Sequence, residues 1–155
     1  MVATFKKGWL KNYNKNHQAL SQKLREKDAI KVKGRVEKKF QTTFPNYLKH
    51  NANLELVNTP NRNTLRLKPV ITDLVVNGPD IQRSTSTTMM VRQVGSATLT
   101  LEIYDASSNV LLAKLISEEE TRYNHEMIRT NMVVNNAEFA HVYNDWAKDL
   151  IKLMN

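Results

Sequence analysis

From Ala97 to Ile103 the chain alternates without a break: Ala97, Leu99, Leu101 and Ile103 are apolar, and Thr98, Thr100 and Glu102 between them are polar. A period of two puts the apolar set on one face of an extended strand and the polar set on the other. Asp105-Ala-Ser-Ser-Asn109 then supplies turn residues, and 110–117, beginning Val110-Leu-Leu-Ala-Lys, predicts the returning strand of a hairpin. Any fold this chain adopts must accommodate that hairpin and cover its apolar face.

The segment Thr64–Val76 reads as a further strand, with Leu65, Leu67, Ile71 and Val75 expected on one face. Pro69 cannot donate to a ladder, so the strand is expected to be an edge or to carry a bulge. Leu54–Val57 reads as a short strand, Asn58–Asn63 as a turn, 81–88 as a loop, and Met89–Arg92 as extended, with Gly95 marking a bulge.

Helical spacing appears at both ends. Leu10, Tyr13, His17, Leu20 and Leu24 predict an amphipathic helix over 9–27. Asp28–Gly34 alternates apolar and basic, which fits a lysine-guarded edge strand and equally a continuing helix. Val36, Phe40, Phe44, Tyr47 and Leu48 predict a second helix from Arg35, kinked or restarted at Pro45. Phe139, Tyr143, Trp146, Leu150 and Met154 predict a closing helix that buries Trp146, capped by Asn135 or Asn136. The fold class expected is α+β: a mainly antiparallel sheet of about four to five strands with packed N- and C-terminal helices. The expected division is a basic helical segment, 1–34, and a single α+β domain, 35–155.

With 41% hydrophobic and 25% charged residues in 155, the chain is globular and of one-domain size. It has no cysteine, which removes disulfides, thiol nucleophiles and thiolate metal sites. Its apolar runs are too short to span a membrane as a helix. The net charge of +8 is concentrated: residues 1–39 carry twelve Lys and Arg against Glu26, Asp28 and Glu37, and the other 116 residues carry eleven against twelve acidic ones. A negatively charged partner is therefore expected to meet Lys6, Lys7, Lys11, Lys15, Lys23, Arg25, Lys27, Lys31, Lys33, Arg35, Lys38 and Lys39.

No pattern points to catalysis, a metal or a cofactor. His17, His50, His125 and His141 include no pair at i, i+4. Glu118, Glu119 and Glu120 would alternate faces in a strand, and Asp73 and Asp105 are expected at a strand end and in a turn. Ser84–Thr88 lacks the glycines of a phosphate loop. Trp9, Tyr13, Phe40, Phe44 and Tyr47 fall among lysines, but at helical spacing, which favours packing over base stacking.

Four segments, Leu65–Asp73, Val91–Leu101, Tyr104–Ala113 and Trp146–Leu150, resemble in order and spacing a family of uncharacterised bacterial outer-membrane lipoproteins, a domain of unknown function. The likeness covers roughly residues 35–155. It implies an exported protein lipidated on an N-terminal cysteine and held at the periplasmic face of the outer membrane. Met1–Leu10 has no signal-peptide core and the chain no cysteine, so it reads as the mature domain without that leader. The resemblance implies no catalytic residue. The expected function is a non-enzymatic envelope module that binds a protein partner, with its basic segment on an anionic membrane surface. The alternatives are a basic cytoplasmic nucleic-acid-binding protein using residues 1–39 and an enzyme of unknown reaction.

Overall fold

A computed structural model describes residues 2–17, 19–20, 22–81 and 89–155. Among the described residues, six strands and three helices follow in the order β1 (Val2–Phe5), α1 (Trp9–Asn16), α2 (Glu26–Ala52), β2 (Leu65–Val76), β3 (Met89–Val91), β4 (Gly95–Asp105), β5 (Leu111–Glu120), β6 (Ile128–Thr130) and α3 (Met132–Met154). The main sheet runs β1-β2-β4-β5, and β3 with β6 forms a two-stranded sheet. Only β1 is parallel to its neighbour; the other pairings are antiparallel. This is the expected α+β class, with α2 and α3 packed side by side on one face of the main sheet.

The hairpin falls where the alternation places it. Ala97, Leu99, Leu101 and Ile103 are buried, and β4 pairs with β5 from Ser96↔Glu120 to Tyr104↔Leu111. Over this face lie Phe139, Val142, Tyr143, Trp146, Ala147 and Leu150 of α3, all buried. Removing such side chains from water stabilises the fold by roughly 1.5–3 kcal/mol each. The cap of α3 is Asn131, whose side chain accepts from Val134 N at 2.9 Å, four residues before the nearer asparagine expected for that role.

The structure settles the helical readings at the N-terminus on three points. The stretch expected as one helix over 9–27 is interrupted: α1 stops at Asn16, and Leu20 is 84% exposed. Asn14 holds the connection, donating to Leu24 O at 2.9 Å and accepting from Leu24 N at 2.8 Å. Of the two readings open for Asp28–Gly34, edge strand or helix, the structure takes the helical one: the segment forms the first turns of α2. Ala29, Val32, Val36 and Phe40 recur at three and four residues, and this longer period overrides a two-residue alternation only a few residues long. Asp28, buried in the first turn, accepts from Arg25 N at 2.9 Å and complements the helix dipole. Third, Pro45 neither ends nor restarts α2, which continues to Ala52. The carbonyl that proline leaves unpaired belongs to exposed Gln41, while Phe40, Phe44 and Leu48 hold the helix by packing.

The expected division at residue 34 meets a helix that runs straight through it, and Val2–Phe5 supplies a strand that the periodicity did not indicate. Leu54–Val57 forms no strand. In β2, Leu67 and Ile71 face inward as expected, but the pairing with β4 shifts between Thr72 and Val75, and Asp73 adopts φ 52°. The inward phase then passes to Leu74 and Val76, leaving Val75 half-buried. Gly95 lies opposite Val76 because a Cβ there would come within 2.0 Å of Val75 O. The 81–88 loop, including Ser84–Thr88, falls outside the described residues from 82 onward.

Candidate basic cleft

β1 sets the geometry. Ala3 pairs with Ile71 and is completely buried, its N–H donating to Glu37 Oε1 of α2 at 2.8 Å. Lys6 N donates to Leu74 O at 3.0 Å, so the chain leaves the sheet edge at a fixed point. Gly8, at φ 76°, then turns it into α1, a conformation that costs a side-chain-bearing residue about 1–2 kcal/mol. Trp9 returns to the sheet: its indole N–H donates to Val76 O at 3.2 Å, and its ring stacks on Phe5 at 4.1 Å and 5°. Tyr13 follows, and His17 stacks on Tyr13 at 4.0 Å. Residues 5, 9, 13 and 17 thus form an aromatic ladder along the inner side of α1.

Between this corner and the first turns of α2 lies a cleft of about 760 Å³. Its floor is apolar, made by Phe5, Trp9, Leu10, Ala29 and Ile30. Its rim is basic: Lys6, Lys7 and Lys11 come from the β1–α1 corner and Lys33 from α2, with Glu26 the one acid among the lining residues. Ile30 is 64% exposed, an isoleucine presented to solvent between Lys27, Lys31 and Lys33. A second groove, about 540 Å³, lies on the other side of α1 and has a mixed lining, with the amides Asn12, Asn16, Asn77 and Gln93 beside Arg92, Met90 and Met127. Lys6, Lys7 and Trp9 border both.

Of the twelve basic residues singled out from the sequence, Lys6, Lys7, Lys11 and Lys33 converge on the cleft. Lys27, Lys31 and Lys38 follow one another at helical spacing on the exposed outer face of α2. Arg25 and Arg35 hold structure: Arg25 Nε meets Asp28 at 3.4 Å, and Arg35 donates to Asp80 O. Lys15, Lys23 and Lys39 lie away from the cleft lining. Sequence reading missed the apolar floor. The four-residue spacing of Phe5 and Trp9 was a signal for part of it; Leu10, Ala29 and Ile30 come from two separate helices and share no period.

The other polar candidates have structural places. Asp105 is a turn residue, accepting from Ser107 N at 2.8 Å, Ser107 Oγ at 2.6 Å and Ser108 N at 2.7 Å. Those bonds, led by the Ser107 hydroxyl, hold its carboxyl down to about 2. Asp73 sits within the β2 bulge rather than at a strand end. His50, His125 and His141 are exposed, and Glu118, Glu119 and Glu120 alternate along the end of β5. Besides Asp28, a second buried carboxylate went unforeseen: Glu138 of α3 accepts from Arg122 at 2.5 and 3.3 Å, and this pairing draws its carboxyl below the usual range.

A family model described as a protein of unknown function (DUF3313) matches residues 10–150. No curated protein and no solved structure matches the chain.

Proposed function

Because the chain belongs to this family of unknown function, no activity comes with membership, and we propose that it is a non-enzymatic binding module of a bacterial envelope lipoprotein. It works beside a protein partner at the periplasmic face of the outer membrane and docks on anionic lipid through its basic cleft. The observation that carries this reading is a rim of four lysines around an apolar floor. An anionic headgroup satisfies the rim, and the first methylenes of an acyl chain satisfy Ile30 and Leu10. Lysines near such a surface contribute roughly 1 kcal/mol each. Aromatic placement favours lipid over nucleic acid: Trp9, Tyr13, Phe40 and Phe44 are buried in the core and offer no stacking platform for bases.

The test is flotation with vesicles of phosphatidylcholine alone or with added phosphatidylglycerol, across a salt series. The reading requires binding to the anionic vesicles only, weakening as salt rises. Equal binding to neutral vesicles, or none to either, refutes it.

A further inference from the structure

β5 is one of the two edge strands of the main sheet, opposite β1. Thr121 N donates to Gly95 O at 2.9 Å in line with the β4–β5 register, so the odd-numbered residues of β5 turn their backbone groups towards β4. The backbone N–H and C=O groups of Lys114, Ile116 and Glu118 consequently point away from the sheet, at an edge no other described strand covers. Their side chains stand on the sheet face opposite the helices, where Ile116 is 65% exposed.

We propose that this edge pairs with the same edge of a second copy, antiparallel and centred on Ile116. Both strands must offer outward-facing residues to each other, so the choice lies among a few registers. Centring on Lys114 sets Lys114 against itself, and centring on Glu118 sets Glu118 against itself. Centring on Leu115 or Ser117 places Ile116 opposite Lys114 or Glu118. Only the register centred on Ile116 brings the two isoleucines together at the two-fold axis and puts Lys114 of each copy opposite Glu118 of the other. Charges that would guard the edge against a mismatched strand are complementary in this one arrangement. The pairing ends at Leu112, where the β4–β5 register shifts. On the helix side it sets Leu115 opposite Ser117. Acidic Asp145 and Asp149 there each have a lysine, Lys148 at 2.6 Å and Lys152 at 3.5 Å, so like charge does not oppose the approach. The product is a continuous eight-stranded sheet with both helical layers on the same side.

The test is sedimentation equilibrium of the full chain over roughly 1–100 µM, where mass action decides the state. The expected result is a mass of twice 17.9 kDa. Lys114→Glu and Glu118→Lys should each sediment as monomers, having two like-charge pairs across the axis. Mixed in equal amounts they should return the doubled mass, because the heterodimer restores both opposite pairs. That rescue also shows that both variants fold. A wild-type protein that stays at 17.9 kDa throughout overturns the proposal. So does a doubled mass that survives either single reversal, or a mixture that remains monomeric.

Discussion

The indole N–H of Trp9 donates to the carbonyl of Val76 across 3.2 Å, tying the first helix to the far end of the longest strand. Trp9 also stacks on Phe5, so one side chain fixes α1 against both β1 and β2. Trp9→Ala should cost about 3–5 kcal/mol in urea unfolding, and Trp9→Phe, which keeps a ring on Phe5 but leaves Val76 O without its donor, about 1–3 kcal/mol. Equal losses for the two would show that packing alone matters there.

Neutralising the cleft rim should weaken vesicle binding in steps. Lys6→Gln, Lys7→Gln, Lys11→Gln and Lys33→Gln should each lower affinity for anionic vesicles roughly fivefold. Lys49→Gln, distant in the chain and 3.8 Å from Glu55, should change it little. A fall of the same size for Lys49→Gln would mean that overall charge, and not the cleft, determines binding.

Pro45 lies inside α2 and lacks the N–H that would close a turn onto Gln41. Pro45→Ala should therefore stabilise the protein by about 1–2 kcal/mol, the gain in helical bonding being partly offset by a more flexible unfolded chain. Calorimetry reads this as a higher melting temperature. A lower one would show that the proline's restriction of the unfolded chain outweighs the missing helical bond.

Asp73 is held at φ 52° by the bulge that re-phases β2. Aspartate tolerates this region and β-branched residues do not, so Asp73→Val should destabilise by about 1–2 kcal/mol while Asp73→Gly stays near neutral. Chemical denaturation of the pair would show whether backbone conformation or the carboxylate sets the requirement.

The β4–β5 turn should confer a pH dependence. The folded Asp105 carboxyl titrates at about 2, below its unfolded value, so the ionised group stabilises the native state above the unfolded value, and the contribution fades as pH falls towards 2. Asp105→Ala should melt below wild type at neutral pH, with the gap closing in acid. A gap that stays constant with pH would assign the loss to backbone conformation instead.

What the sequence disclosed depended on how far each pattern extended. β4 and α3 carry their periods over two or more turns or four alternations, and both appear where expected, with Trp146 completely buried. Asp28–Gly34 fits a strand only when cut off from Val36 and Phe40. β1 offered too few residues for any period to register, and its partner is remote, so only tertiary structure could reveal it. For the same reason the lysines were legible as a charged quarter of the chain, but not the convergence of four of them. That convergence depends on Gly8 turning the chain and on Glu37 holding β1 against α2.

The parallel pairing of β1 with β2 closes the longest loop in the main sheet: the partners Ala3 and Ile71 stand 68 residues apart. Such closure carries an entropic cost that grows with the separation, and it is met only once the distant strand exists to receive it. The β2-β4-β5 ladder needs nothing from residues 2–17 for its own hydrogen bonds. Undocking of the first strand would break none of that ladder's own hydrogen bonds but would remove one wall of the cleft. If the cleft takes anionic lipid as proposed, strand docking and binding are thermodynamically linked, and a lipid that fills the cleft should also tighten the chain's N-terminal end.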